Sequence, residues 1–182
     1  MLDAGGSNLR RGLEQLNLLA VGQAEVELLQ CCGSIEWASR MAAQRPFSDC
    51  EHLRLKADQV WWSLTSRDWL EAFSSHPKIG EQKAATATQA QAWSTQEQAS
   101  VSCATKETVA ALAAANREYE QKFGYIFIVC ATGKEPEEML ANLLIRLANN
   151  AAVELRIAAE EQRKITRLRL EKLLTSLDRP GV

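Results

Sequence analysis

Two histidines occur in the chain, His52 and His76, and the second stands in a setting that could carry chemistry, "FSSHPKIGEQ". Pro77 restrains the residue before it toward extended backbone angles, which keeps the His76 imidazole off a helix and can aim it consistently. A histidine with a pKa of about 6.5 can give or take a proton at neutral pH, as a general acid or base must. The plainer alternative is that His-Pro ends a helix, with Lys78 and Gly80 as loop residues, and on spacing alone the pattern favours it. Glu97 in "STQEQ" is the second acid-base candidate. The Ser94-x-x-Glu97 spacing is that of a capping box, which would satisfy the first amides of a helix. A helix N-terminus also gathers N–H groups and could hold a carboxylate substrate, so both roles are compatible. They differ in whether Glu97 points into a pocket that contains His76.

Two further groups bear on a site. Cys130 lies in "FIVCAT" without a basic neighbour in sequence, so it reads as a small buried hydrophobe rather than a nucleophile. The backbone there is of more interest, because amides used by neither helix nor ladder need partners: water, a loop or a polar ligand. Toward the end stand Arg163, Arg167 and Arg169 with Lys164 and Lys172. A solvated basic face suits a helix C-terminal half, whereas one arginine turned inward would recognise a carboxylate, urea or amide bidentately. His52 and His76 are far apart in sequence and no Cys-x-x-Cys pair occurs, so no metal site is expected. Phosphate-binding loops and Gly-x-Ser-x-Gly elbows are missing as well, which leaves plain acid-base side chains.

These groups must be positioned by helices. The chain has 182 residues, 46% hydrophobic content and a net charge of −2, the profile of one globular domain without a nucleic-acid footprint. No apolar run approaches the roughly 18 residues of a membrane span. Five cysteines and no signal-peptide pattern predict reduced thiols. Residues 1–15 read as a flexible leader and 16–178 as the domain. "QAEVELLQCC" predicts a helix stopped by Gly33, and Ser34 caps the next, which runs to the Arg45-Pro46 break. Ser48 with Glu51 reads as a capping box for "SDCEHLRLKADQVWWSL", and Thr65-Ser66 as the cap of "RDWLEAF". The tract "KAATATQAQA" is a link or a weak helix, and Ser94 opens the helix after it. "KETVAALAAANREYEQKF" is a helix ended by Gly124, Pro136 sits at a good first helical position, and one long helix follows. Between them "YIFIVCATG" breaks the helical period. The expectation is an all-α fold of seven to nine helices with one short extended segment near residues 125–131.

Taken together, "CCGSIEWASRM", "RPF", "DWLEAFSSHPKIG", "STQEQ", "FGYIFIVCATGK" and "KITRLRL" resemble, in the same order, the 2-oxo-4-hydroxy-4-carboxy-5-ureidoimidazoline (OHCU) decarboxylase family. The resemblance spans about residues 16 to 175 and reverses the balance on His76. It implies an all-helical, cofactor-independent decarboxylase of urate catabolism that gives (S)-allantoin from a small ureidoimidazoline substrate. Under it, His76 and Glu97 are the catalytic pair. Pro77, Ser94 and Gln98 lie beside the substrate, Ile128, Val129, Cys130 and Ala131 supply the substrate-contacting backbone, and Arg169, or Arg167 one step away in register, is the binding arginine. A homodimer and a cytoplasmic location accompany that expectation, and "DRPGV" at the end carries no peroxisomal address. Two other classes are weighed beside it. One is a helical binding module exposing Trp37, Trp61, Trp62 and Trp69; the other is a hydrolase or racemase acting on a related ureide.

Overall fold

The structure, a computed structural model, describes residues 4–77, 89–97 and 105–178. Among them are nine α-helices: α1 Ala4–Leu18, α2 Val21–Cys32, α3 Ile35–Ala43, α4 Cys50–Ser63, α5 Ser66–Ser74, α6 Gln89–Glu97, α7 Lys106–Phe123, α8 Pro136–Leu147 and α9 Ala151–Leu177. No strand occurs among the described residues, so the fold is all-α as the periodicity predicts. No described helix is long and apolar enough to cross a membrane.

The chain divides into two compact units. The first joins Met1–Trp69 to Arg163–Val182. Its helix ends follow the local chemistry. Gly33 stops α2 in the left-handed conformation at φ 84°, and Ser34 Oγ accepts from Trp37 N at 3.3 Å to open α3. At α4 the cap lies one residue past the expected one. Asp49 Oδ1 accepts from His52 N at 2.7 Å while Ser48 Oγ donates to Asp49 at 3.0 Å, because the carboxylate is the stronger acceptor for a helix amide. Thr65 works with Asp68, whose Oδ2 accepts from Thr65 N and Oγ1 at 2.9 and 2.7 Å. Trp37 and Trp61 are buried, and the indole N–H groups of Trp37 and Trp69 donate to Ala57 O and Trp61 O. Trp37 and Trp61 thus belong to the core rather than to a docking face, while Trp62 and Trp69 are half-buried and stack on one another edge to face at 5.7 Å.

The stretch expected to be a flexible leader is largely α1. Leu13 and Leu16 are buried, Arg11 pairs with Asp178 at 2.6 Å, and Gly12 passes against Leu174 so closely that a Cβ would stand 1.9 Å from its carbonyl oxygen. Leu9, Leu13 and Leu16 recur at helical spacing, and that apolar stripe outweighs Gly5 and Gly6 before it.

The second unit is Leu70–Gln162. Thr105 caps α7 through Thr108 N, Gly124 ends it at φ 79°, and Pro136 takes the first turn of α8. Leu112, Ala115 and Tyr119 of α7 and Met139 and Leu143 of α8 form one buried cluster with Phe127, Val129 and Ala131 of the connecting segment. Phe73, near the end of α5, packs on Tyr125 with ring centroids 5.3 Å apart, and Tyr119 meets Phe127 edge to face at 5.3 Å. The aromatic stack therefore seats both the end of α5 and the start of the segment.

Candidate active site

Segment 125–131 is the part of the second unit that needs most explanation, because Phe127 to Ala131 are all buried yet form no helix or ladder. Buried backbone groups without partners would cost several kcal/mol on the order of 1–3 each. Helical side chains supply the partners. Arg146 Nη1 of α8 donates to Ile128 O at 2.8 Å, and Cys130 N donates to Glu161 Oε2 of α9 at 2.8 Å. The segment closes with a turn in which Lys134 N donates to Ala131 O at 3.0 Å, and Gly133 takes φ 77°. At those two groups the partners are helical side chains.

Arg146 is itself held in a buried polar cluster. Its Nε and Nη2 reach Glu154 Oε1 at 2.8 and 2.5 Å, its guanidinium lies 4.5 Å from the Phe127 ring centroid, and Asn149 Nδ2 donates to Glu154 Oε2 at 2.8 Å. The Tyr119 hydroxyl donates to the same carboxylate. Burial, and then that hydrogen bond, push the Tyr119 phenol far above its usual range, so it stays a donor. Glu154 is wholly buried and so is satisfied by three partners on α7, α8 and the turn before α9. Nothing in the periodic pattern marks these residues. The one signal is that Glu154 and Arg146 fall on apolar faces of their helices.

His76 follows the last turn of α5, where its N–H donates to Phe73 O at 3.2 Å before Pro77 bars further helix. Its Nε2 lies 2.6 Å from Gln162 Oε1. Gln162 has no exposed surface, and His76 and Pro77 are half-buried. The amide oxygen can only accept, so this contact calls for a hydrogen on Nε2. Gln162 and Glu161 were not singled out from sequence, where both look like polar positions of a long helix.

Glu97 is placed differently from the capping-box reading. It is the last described residue of α6, and Ser94 lies within that helix, buried, with Oγ donating back to Ala90 O at 3.0 Å. The alanine- and glutamine-rich stretch before Ser94 is helical from Gln89 on, since such residues extend a helix readily, and this moves the N-terminus upstream. Burial and then the Glu161 charge raise the Cys130 thiol, Lys134 opposes them, and the Glu97 charge adds the smallest part of the rise. His76 with Gln162, and Cys130 with Glu161 and Glu97, are thus drawn into the same unit by α5, α6, the segment and α9. A thiol so raised is a protonated, buried group rather than a nucleophile. Gln98 lies outside the described residues, as do Lys78 and Gly80.

The arginines belong to the first unit. Arg163 Nη1 and Arg167 Nη2 bind Asp58 Oδ2 at 2.6 and 2.5 Å, and Arg167 Nε adds Oδ1 at 3.1 Å, so these two answer an α4 carboxylate instead of forming a merely solvated face. Arg169 is 2% exposed. Among the described residues no three His, Cys, Asp or Glu side chains are grouped so as to hold a metal ion.

Residues 17–171 match the family model described as OHCU decarboxylase. The Uric acid degradation bifunctional protein TTL of Arabidopsis thaliana is 40% identical over 160 residues, covering 86% of this chain and 49% of that protein. This chain thus spans about half the length of that relative, and 32% of the Uric acid degradation bifunctional protein of Bacillus sp. (strain TB-90). The 2-oxo-4-hydroxy-4-carboxy-5-ureidoimidazoline decarboxylase of Amia calva is 29% identical, with 75% of this chain and 79% of that one aligned. A crystal structure of OHCU decarboxylase in the presence of (S)-allantoin superposes with TM-score 0.72 at 39% identity, covering 82% of this chain and 97% of that one.

Proposed function

The chain belongs to the OHCU decarboxylase family, and on that premise we propose that it removes CO₂ from 2-oxo-4-hydroxy-4-carboxy-5-ureidoimidazoline, without a cofactor, to leave (S)-allantoin. The observation that carries this reading is the 39% identical structure, crystallised with (S)-allantoin and aligned over 97% of its length.

In the reaction the bond from the ring carbon to the carboxylate breaks. Its electron pair forms a double bond to the adjoining ring carbon, which bears the ureido group, as the C=N π pair there moves onto nitrogen and takes up a proton. The hydroxyl carbon then loses its O–H proton to become the carbonyl, and one proton is delivered to one face of the ureido-bearing carbon. The substrate is its own electron sink, so the protein has to orient the ring, keep water from the carboxylate and control one proton. His76 and Glu97 take the acid-base roles at the hydroxyl and carboxylate end. Ser94 Oγ, whose hydrogen goes to Ala90 O, can only accept from substrate, while Pro77 and Gln98 lie beside it. Arg169, buried on α9, is the binding arginine. Within Ile128 to Ala131, Ile128 O and Cys130 N are already bound to Arg146 and Glu161, so substrate contact falls to the remaining amides. The proposal includes a cytoplasmic location and a homodimer, for which exposed Leu144, Ile145 and Val153 offer apolar surface.

The test is to mix freshly generated substrate with the protein and follow CO₂ and optical activity together. His76→Asn and Glu97→Gln should each lower stereospecific allantoin formation by about 10²-fold or more with the helical CD spectrum intact. Unchanged activity in either variant removes that residue from the mechanism, and racemic product at the spontaneous rate with the parent chain removes the reading.

A further inference from the structure

We infer that Gln162 is the positioning residue for His76: it grips the Nε2 edge of the imidazole and selects the neutral tautomer whose lone pair is on Nδ1. This rests on the acid-base role of His76 proposed above. Gln162 is completely buried on α9, with its Oε1 2.6 Å from His76 Nε2. An amide in such a place costs free energy unless it is matched, so leucine would suit mere packing better. The choice of an amide rather than a carboxylate also has a chemical effect. Either acceptor orients the ring, but a carboxylate would in addition stabilise the imidazolium, whereas an amide leaves the ring able to shed its proton.

The neighbouring residue makes the arrangement more than a single contact. Glu161 holds Cys130 N at 2.8 Å, one residue before Gln162 on the same helix. Consecutive helical residues differ by about 1.5 Å of rise and a fixed rotation. One step of α9 therefore sets the imidazole and the extended segment in register with each other. The charged groups beside this arrangement include Glu161, Lys134 and Glu97, which act at Cys130. They are common to parent and variant, so a difference between the two titrations reports position 162.

The full chain carries only two histidines, so His52→Gln with ¹⁵N-histidine labelling leaves one ring to observe by long-range ¹H–¹⁵N correlation. The neutral His76 ring should be the Nε2–H tautomer. Gln162→Glu should raise the His76 titration by about 1 to 3 pH units and carry the acid limb of kcat upward with it. Gln162→Leu should abolish the tautomer bias and lower kcat by about 10- to 100-fold with little change in KM. An Nδ1–H tautomer in the parent chain overturns the inference, even where a variant fails to fold, and so does a titration that Gln162→Glu leaves in place. The expected tautomer and shift in a chain without decarboxylase activity would sustain the positioning role and defeat the functional reading. An active enzyme lacking both would do the reverse.

Discussion

Arg146→Met asks whether the Arg146–Glu154 cluster holds the extended segment in place. The substitution keeps a long apolar stem over Phe127 and removes four hydrogen bonds, at 2.8 and 2.5 Å to Glu154, 2.8 Å to Ile128 O and 3.4 Å to the Tyr119 hydroxyl. The side chains of Arg146 and Glu154 are 10% and 0% exposed, so solvent does not screen the pair. Removing one partner of a buried pair costs about 3–5 kcal/mol, chiefly because the other charge is left uncompensated. Tyr119 and Asn149 still bind Glu154, which places the expected loss near the lower end, at ~3 kcal/mol. That is a large share of a total stability of roughly 5–15 kcal/mol. With a urea slope of about 2 kcal/mol/M, the midpoint followed by CD at 222 nm should fall by about 1.5 M. Adding Glu154→Gln should recover at least ~1 kcal/mol of the loss, since the stranded charge is gone. A single variant within ~1 kcal/mol of the parent, or a double variant no more stable than Arg146→Met, would refute the account.

Two other outcomes follow from the packing. Gly12→Ala would ordinarily favour α1 by up to ~1 kcal/mol, but its Cβ would meet Leu174 backbone at 1.9 to 2.8 Å, so a net loss of about 1–3 kcal/mol is expected. A thermal midpoint that rises instead would show that α1 does not pack there. For Cys130, burial first and the Glu161 charge next raise the folded-state thiol above its ordinary 9.0. The folded chain then binds more protons than the unfolded one at alkaline pH, so this contribution is complete below about pH 8.5 and is lost as pH rises above it. Cys130→Ala should flatten the alkaline fall in stability and retain decarboxylase activity within about threefold, since the backbone amide to Glu161 is kept. Loss of activity in that variant would give the thiol a role after all.

What could be read from sequence divides along the range of the interactions involved. Gly33, Ser34, Gly124 and Pro136 act on backbone within a turn of themselves, and each ends or starts a helix where its chemistry says it should. Ser94 and Glu97 show where local reasoning fails. A three-residue spacing is the same inside a helix as at its start, so only the propensity of the stretch before it could tell the two apart. The partners of His76 and of the extended segment lie further still. Gln162 is 86 residues from His76 and Glu161 is 31 from Cys130, and no local pattern distinguishes them from the solvated polar residues of α9. A buried segment without a ladder does, however, imply that polar side chains must come to it from elsewhere. Within the second unit, the polar residues on the apolar faces of α8 and α9 are Arg146, Glu154 and Gln162, and all three are buried. Two of them make the segment rigid and the third holds the histidine. Site precision in this chain is therefore an outcome of core satisfaction, and a substitution at any of the three should disturb catalysis and stability together.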